Sequence, residues 1–548
     1  HNPALPIYGK LFWERIMQII ESNKTQFEYD IQALLKSFYP EWEPRMLAPD
    51  SEVRDRRILE GEPVMELFFG EDEVTLRMIR GSRQIEMGKT RCEKEVSEFC
   101  VGLHNTESDS GLHNAETENG TTVANEEGDS HVYIWQPQEP AGTPEYKNAF
   151  KRFFYQSLCE ETGTTLPWGN LTGIRPTKIA MTMMEQGKSE AETADYLKAM
   201  HLVSEEKTAL ALDIAKREQE ILSTLHYENG YSLYVGIPFC PTTCLYCSFT
   251  SYPIGAWKKK VGGYLAALER EIDATAEMMR DKILDTVYIG GGTPTSLSAQ
   301  ELARLLTRLK SAFDFSFVQE FTVEAGRADS ITEEKLRVLL ENGVTRISVN
   351  PQTMKQETLD LIGRRHTVEQ VEEAFHLARK TGFDNINMDI ILGLPGETAA
   401  DVAHTIEAVK MLSPDALTVH SLAVKRASKL GKWIEEHGAT AYNNTEEIME
   451  IASRGAAALD MVPYYLYRQK NMSGNFENVG YSRQGKYGIY NILINEEKQT
   501  IAALGAGSIT KGVFSDDRIE RCENVKDVTQ YIERVDEMIE RKRALLGN

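Results

Sequence analysis

Between residues 229 and 424, short apolar runs alternate with amphipathic stretches of helical spacing. The runs Tyr231–Val235, Thr286–Ile289, Phe321–Glu324, Arg346–Val349, Asn385–Leu392 and Ala416–His420 read as buried strands, and the stretches between them read as helices. Six βα repeats in this order predict a parallel sheet. A right-handed crossover series curls such a sheet toward a barrel, and six units leave the barrel incomplete, with an open side able to admit a large substrate. The predicted fold is therefore α/β, an incomplete (β/α)6 TIM-type barrel over 229–424, with its chemistry at the C-terminal strand ends.

The flanks follow other patterns. Phe27 to Phe38 has helical periodicity, while 64–69 and 74–79 alternate like a hairpin around Gly70-Glu71-Asp72, so 1–101 reads as a small α+β module. From 102 to 130 the chain turns to Asn, Thr, Ser, Gly and Glu, with too few large apolar groups to offset chain entropy, and an acidic mobile insertion is expected. The repeated Gly-Leu-His-Asn at 102–105 and 111–114 reads as a solvated linker rather than a metal site. Residues 131–228 read as helical, broken by the Gly/Pro-rich turn Leu166–Pro176. Beyond 424 come helices, a Tyr/Asn/Gly-rich stretch from Pro463 to Tyr490, two short strand-like runs and a closing helix at 525–546, a C-terminal mixed subdomain over 425–548.

Composition narrows the classes. The 548 residues are 41% hydrophobic and 26% charged, in the proportions of a globular protein. No run approaches the roughly 20 apolar residues of a bilayer span, no segment reads as a signal peptide, and the expected compartment is the cytoplasm. A formal charge of −22 argues against gripping nucleic acid by phosphate neutralisation. Of seven cysteines, Cys92, Cys100, Cys159 and Cys522 lack ligand-like spacing and read as ordinary reduced thiols.

The other three lie in one loop directly after the first barrel strand, Cys240-Pro-Thr-Thr-Cys244-Leu-Tyr-Cys247. Three thiolates can cap three corners of an iron–sulfur cubane and leave one iron without a protein ligand, whereas a four-Cys electron carrier leaves none open. A structural zinc site would want four ligands, and no second CxxC or His partner follows nearby.

CxxxCxxC with an aromatic, Tyr246, before the last cysteine resembles the radical S-adenosylmethionine (SAM) superfamily. The segments Leu233–Cys240, Gly290–Thr295, Arg346–Gln352 and Asp389–Gly396 resemble its oxygen-independent coproporphyrinogen III oxidase-like family. Trp168–Lys178, Tyr464–Met472 and Glu477–Tyr481 resemble that family's HemZ branch of coproporphyrinogen dehydrogenase-like proteins. The likeness covers most of the chain apart from the acidic insertion.

The resemblance implies a [4Fe–4S] cluster on Cys240, Cys244 and Cys247, with SAM on the fourth iron. It places Gly290, Gly291, Gly292 and Thr293 at the SAM amino group, with a second SAM near the first as a further implication. Glu324, Gln352, Arg364 and Asp389 match polar SAM contacts, and the three charged ones suit a zwitterionic nucleoside. Tyr234 matches a tyrosine over the SAM sulfonium, the one residue besides the cluster given a catalytic part, and an aromatic face stabilises such a cation. Taken alone, Arg364 and Asp389 each read more readily as structural ion pairs, while Glu324 suits a solvated strand end, the glycines a tight corner and Tyr234 a core aromatic. The chain departs from its relatives at Gly236, where they often have His, and at Phe249, where some oxidases carry a fourth Cys.

The implied reaction is removal of a hydrogen atom from a coproporphyrinogen III propionate by a 5′-deoxyadenosyl radical, with loss of carbon dioxide and one further electron to leave a vinyl group. The implied partners are the tetrapyrrole and a low-potential electron donor of flavodoxin or ferredoxin type; oligomeric state is left open. Arg468, Lys470 and neighbouring tyrosines are candidate contacts to substrate carboxylates. Two other readings stand beside it: a haem-binding or haem-delivery protein, with His366 and His420 as candidate ligands, and a haem-degrading methyltransferase-like radical enzyme.

Overall fold

The computed structural model describes residues 16–39, 42–47, 65–79, 115–116, 121–125, 130–173, 175–226, 229–249, 251–423, 429–437, 444–469, 476–514 and 518–547. Lys470, Cys92, Cys100 and the His104/His113 echo lie outside them. The chain divides into two compact units, 1–173 with 186–209, and 174–185 with 210–548.

The second unit is built on the predicted sheet. Strands Gly230–Ile237, Ile283–Gly291, Glu320–Glu324, Arg346–Ser348, Ile386–Leu392 and Ala416–Ser421 stand side by side in chain order, all parallel. Their near-continuous burial is why they read as apolar runs rather than as alternation. Three of the helices between them start at a capping box, Ser298 with Glu301, Thr367 with Gln370 and Thr398 with Asp401, satisfying N–H groups that a helix start otherwise leaves unpaired.

The sheet continues into residues of the expected C-terminal subdomain. Thr500–Leu504 pairs parallel with the first barrel strand and is followed by Ile509–Val513 and Ile519–Glu523. At the other edge Asn478–Ser482 pairs antiparallel with the sixth strand and Val462–Tyr467 lies outside it. The six predicted strands and Thr500–Leu504 thus form a parallel run of seven within an eleven-stranded sheet. The closing segment is two helices, Val528–Glu533 and Val535–Leu546. Lys542 of the second is 1% exposed and bonds Glu271 (2.7 Å) and the Ala503 carbonyl (2.6 Å). Glu271 also accepts from Tyr531, Asn524 and the Gly505 N–H, so the buried charge is fully paired.

In the first unit the expected helix and hairpin are present, Glu28–Phe38 and Met65–Phe69 with Val74–Ile79. The order of its seven-stranded sheet is 42–47, 16–22, 65–69, 74–79, 130–135, 121–125, 115–116. Two of these strands correct the sequence reading, for Thr121–Asn125 and Ala115–Glu116 fall inside the segment expected to be mobile. Thr121, Thr122 and Val123 are β-branched and find a ready edge in Ser130–Trp135. Phe27, Leu35, Phe69, Trp135, Phe150 and Phe154 pack in this unit's core.

Candidate active site at the barrel mouth

After the first strand the chain passes Pro238 into a two-residue strand, Phe239–Cys240, which pairs with Tyr252–Pro253. The Tyr252 N–H donates to the Pro238 carbonyl at 2.8 Å, so the cysteine loop is pinched shut at its base. Its middle is tied across the barrel mouth: the Leu245 N–H donates to Ile362 O (2.9 Å) and the Thr242 hydroxyl to Gly363 O (3.0 Å). Leu245 and Tyr246 pack against Leu359, Ile362, Leu394 and Leu430.

Each thiol has a donor. The Thr293 hydroxyl reaches Cys240 Sγ at 3.4 Å, and Arg327 Nη1 reaches Cys244 Sγ at 3.7 Å and the Thr242 hydroxyl at 3.0 Å. The Phe249 N–H bonds Cys247. Burial pushes the Cys240 thiol up to about 11, opposed by Thr293, and pushes Cys247 up as well. Thiols so placed ionise through ligation, since a coordinating thiol is deprotonated outright. Among the described residues no three His, Cys, Asp or Glu side chains converge as a single ion requires; a [4Fe–4S] cluster asks only one thiolate at each iron it binds. A loop held on both sides, with a donor at every sulfur, fits such a cluster.

Arg327 was not picked out from the sequence. It is buried and forks onto Asp329 through Nε (3.0 Å) and Nη2 (2.8 Å). Burial pushes the Asp329 carboxyl up, but His366 and Arg327 outweigh it and hold the group well below the usual range. His366 Nδ1 lies 3.8 Å from Asp329 and the ring is fully buried, which removes it as a haem ligand on an exposed loop. The available signal was position, three residues past Glu324 at a strand end.

The glycine corner explains its own composition. The Gly292 N–H donates to Ile237 O (2.8 Å) and the Thr293 N–H to Phe239 O (2.7 Å), drawing the second strand's end under the cysteine strand. A Cβ on Gly292 would stand 2.6 Å from Phe239 O. Gly291 has φ +102°, open to glycine and strained for other residues.

Facing the lumen, the strands present a polar set at alternate positions. Tyr234 and Tyr288 are register partners with rings 6.3 Å apart. The Tyr288 hydroxyl donates to Glu324 Oε1 at 2.5 Å, and the Gly291 N–H also bonds this carboxyl. Burial pushes Glu324 up to about 7, with Tyr288 opposing and Asp389 adding to it. Asp389 accepts from Asn387 (2.6 Å) and Asn350 (2.7 Å), and His420 Nε2 lies 3.8 Å away. Burial raises the Asp389 carboxyl, but His420 and Asn387 with their neighbours hold it below its ordinary value. His420 thus lies against Asp389 in the lumen, its other nitrogen 3.4 Å from the Tyr467 hydroxyl.

Gln352 has φ +68°. Its N–H donates to Asp389 O and its carbonyl accepts from the Ile391 N–H, both at 2.9 Å. Gln352 Oε1, Asn350 Oδ1 and Ser348 Oγ are buried without partners, at every second residue of one segment. A buried unsatisfied group costs about 1–3 kcal/mol, so these atoms suit a polar ligand. Arg364 is buried at the barrel mouth. Its Nη1 donates to the carbonyls of Asn350 and Gly326, and its guanidinium lies beside Tyr246 and Cys244. Arg468 is buried; burial lowers it to about 10 against the attraction of Glu477. The opposite mouth is plugged by Ile489–Glu496, whose first N–H groups donate to Glu320, and Tyr490 of that helix stacks on Tyr288 at 4.5 Å. Tyr288, Tyr490, Ser348 and Asn350 were not singled out beforehand.

Fold and site define a radical SAM protein, and the Radical SAM superfamily model matches residues 234–409; a [4Fe–4S] cluster and SAM are the cofactors of that class. The oxygen-independent coproporphyrinogen-III oxidase-like protein HemZ of Bacillus subtilis is 39% identical over 456 residues, 82% of this chain and 90% of the relative. The chain belongs to that HemZ family of oxygen-independent coproporphyrinogen-III oxidase-like proteins. The heme chaperone HemW of B. subtilis is 41% identical over 198 residues, 35% of this chain and 51% of its own. The solved structure of coproporphyrinogen III oxidase (HemN) from Escherichia coli is 23% identical with a TM-score of 0.46, covering 58% of this chain and 72% of that one. Among the described residues no helix is long and apolar enough to cross a membrane.

Proposed function

We propose that this chain catalyses the oxygen-independent oxidative decarboxylation of coproporphyrinogen III, converting propionate side chains to vinyl groups. The observation that carries the reading is the 39% identity to an oxidase-like relative across 82% of the chain, joined to a cysteine loop that opens on a polar lumen. Each conversion releases carbon dioxide, a proton and two electrons. When bound, the cluster and SAM supply a carbon radical able to remove hydrogen from an unactivated C–H bond. The chain's residues bind and orient. Cys240, Cys244 and Cys247 hold the cluster, with Arg327 and Thr293 donating to its thiolates and Arg364 and Tyr246 beside it. Glu324, Asp389 and Gln352 offer oxygens to the ammonium and ribose hydroxyls of SAM, and Gly290 to Thr293 let the backbone come close. Tyr234 lends its ring to the sulfonium, and the plug at Tyr490 closes the lumen from below. Arg468 stands as a candidate for substrate carboxylates, and a low-potential carrier supplies the electron.

A second reading, haem binding and delivery, is favoured by the 41% identity to a heme chaperone over 198 residues. One experiment separates the two: anaerobic incubation of reconstituted protein with reductant, SAM and coproporphyrinogen III, followed by mass analysis, with haem titration in parallel. Products lighter by one and two formic-acid equivalents, together with 5′-deoxyadenosine, are expected. SAM cleavage with an unchanged tetrapyrrole mass and stoichiometric haem binding would replace the first reading by the second.

A further inference from the structure

We infer that the outer face of the cysteine loop is a docking surface for an acidic one-electron carrier protein, gripped by Lys258, Lys259 and Lys260. The inference rests on the radical SAM reading above but not on the tetrapyrrole.

The helix Ile254–Met278 begins at Pro253, the residue paired with Cys240 in the short ladder. At about 1.5 Å per residue, its three consecutive lysines lie roughly 6–9 Å along the axis from that start. All three are exposed. At about 100° per residue they fan across more than half of the helix surface, so they are not a single solvated stripe. No acidic residue occurs from Ile254 to Leu268. On a chain of net charge −22, a helix end with this composition is a local reversal of sign.

Two aromatic features complete the face. Phe249, two residues past Cys247, is 69% exposed, where large aromatics are enriched in recognition surfaces. Tyr252 and Trp257 lie against each other with centroids 4.5 Å apart. The Tyr252 hydroxyl reaches the Lys526 carbonyl at 3.4 Å, and Lys526 is itself exposed. Asp527, which follows it, caps the next helix by accepting from the Gln530 N–H.

Position decides the occupant. A carrier must bring its redox centre close to the cluster, and these cations stand beside the loop that holds it. A partner with an acidic face would be steered there against the field of the rest of the molecule, by an attraction that salt screens.

The test uses the full-length reconstituted protein, an acidic flavodoxin as the probe, and no tetrapyrrole. The variant is Lys258→Glu/Lys259→Glu/Lys260→Glu; Lys282→Glu/Lys310→Glu/Lys380→Glu carries the same charge change at exposed sites away from the loop. Flavodoxin binding is measured by titration at low and high ionic strength, and 5′-deoxyadenosine formation is followed with reduced flavodoxin and, separately, with dithionite. The loop-side variant should weaken flavodoxin binding by about tenfold or more at low salt and flatten its salt dependence. Its dithionite-driven cleavage should stay at the parent level, and the control variant should match the parent throughout. Unchanged flavodoxin affinity, or an equal loss in the control, overturns the inference. So does loss of binding to anionic phospholipid vesicles with flavodoxin binding intact, which would assign the face to a membrane surface. A parent protein that fails to cleave SAM even with dithionite removes the radical SAM reading and this inference with it.

Discussion

The cysteine loop takes its three thiols from eight consecutive residues, Cys240 to Cys247, whereas the lumen beside it draws Tyr234, Tyr288, Glu324, Asp389 and His420 from five strands spread over 187 positions. The loop is pinched at its base and tied at its middle by backbone bonds. The lumen is held by side-chain bonds, from Tyr288 to Glu324 between neighbouring strands, from Asn350 to Asp389 across the barrel mouth, and from Asn387 to Asp389 within one strand. A ligand set written into one loop has its spacing fixed locally. A set assembled across strands depends on register, and each member is replaceable at smaller cost.

The sharpest way to break this contrast is Cys244→Ala. It should leave the helical signal in circular dichroism intact, lower the reconstituted iron content and remove SAM cleavage to background, about a thousandfold or more. Retained cleavage would show that the loop does not hold the cluster.

Next comes Gly292→Ala, which forces a Cβ to within 2.6 Å of Phe239 O and shifts the strand under the loop. Backbone conflict of this kind costs about 1–3 kcal/mol, so cleavage should fall about 10- to 100-fold at constant protein concentration. An unaffected variant would mean that the corner relaxes freely.

Lumen substitutions should act more gently. Removing one hydrogen-bonding partner from a ligand costs about 1.5–3 kcal/mol when charge is involved, so Glu324→Gln should weaken SAM binding about 10- to 100-fold without loss of iron. It should also change the pH dependence of stability. Burial raises Glu324 from 4.5 to about 7, so between those values the folded chain holds a proton that the unfolded chain releases. Stability should therefore decline as pH rises through that window and level off above it. Urea midpoints of the metal-free protein from pH 5 to 8 should show a shallower decline in Glu324→Gln; identical slopes would remove the carboxyl as the cause.

The smallest effect belongs to Tyr288→Phe, which deletes a donor that supports Glu324 from within the barrel. A change of about threefold to tenfold in SAM affinity is expected, at the scale of one neutral donor, with iron content unchanged. An effect as large as that of Glu324→Gln would place Tyr288 in contact with the ligand itself.

The strands were legible because a fully buried parallel strand is a short apolar run. All six predicted runs fall on barrel strands, with ends displaced by a few residues. The edges were not legible: Thr500–Leu504 and Asn478–Ser482 look like isolated short runs, and only the exposed margins of the parallel sheet give them partners. The same is true of Thr121–Asn125, which reads as polar linker until Ser130–Trp135 offers it a ladder.

The sequence by itself determined the cysteine spacing, the glycine corner, the barrel strands and the family likeness, because those signals are local and periodic. Only the tertiary structure decided that Arg327 serves Cys244, that Arg364 lies beside the cysteine loop with one nitrogen on backbone carbonyls, that His366 is a buried partner of Asp329, and that Tyr490 closes the lumen. Those roles depend on distances between residues far apart in the chain. Such distances are set by strand register and helix packing, to which no single segment holds the key.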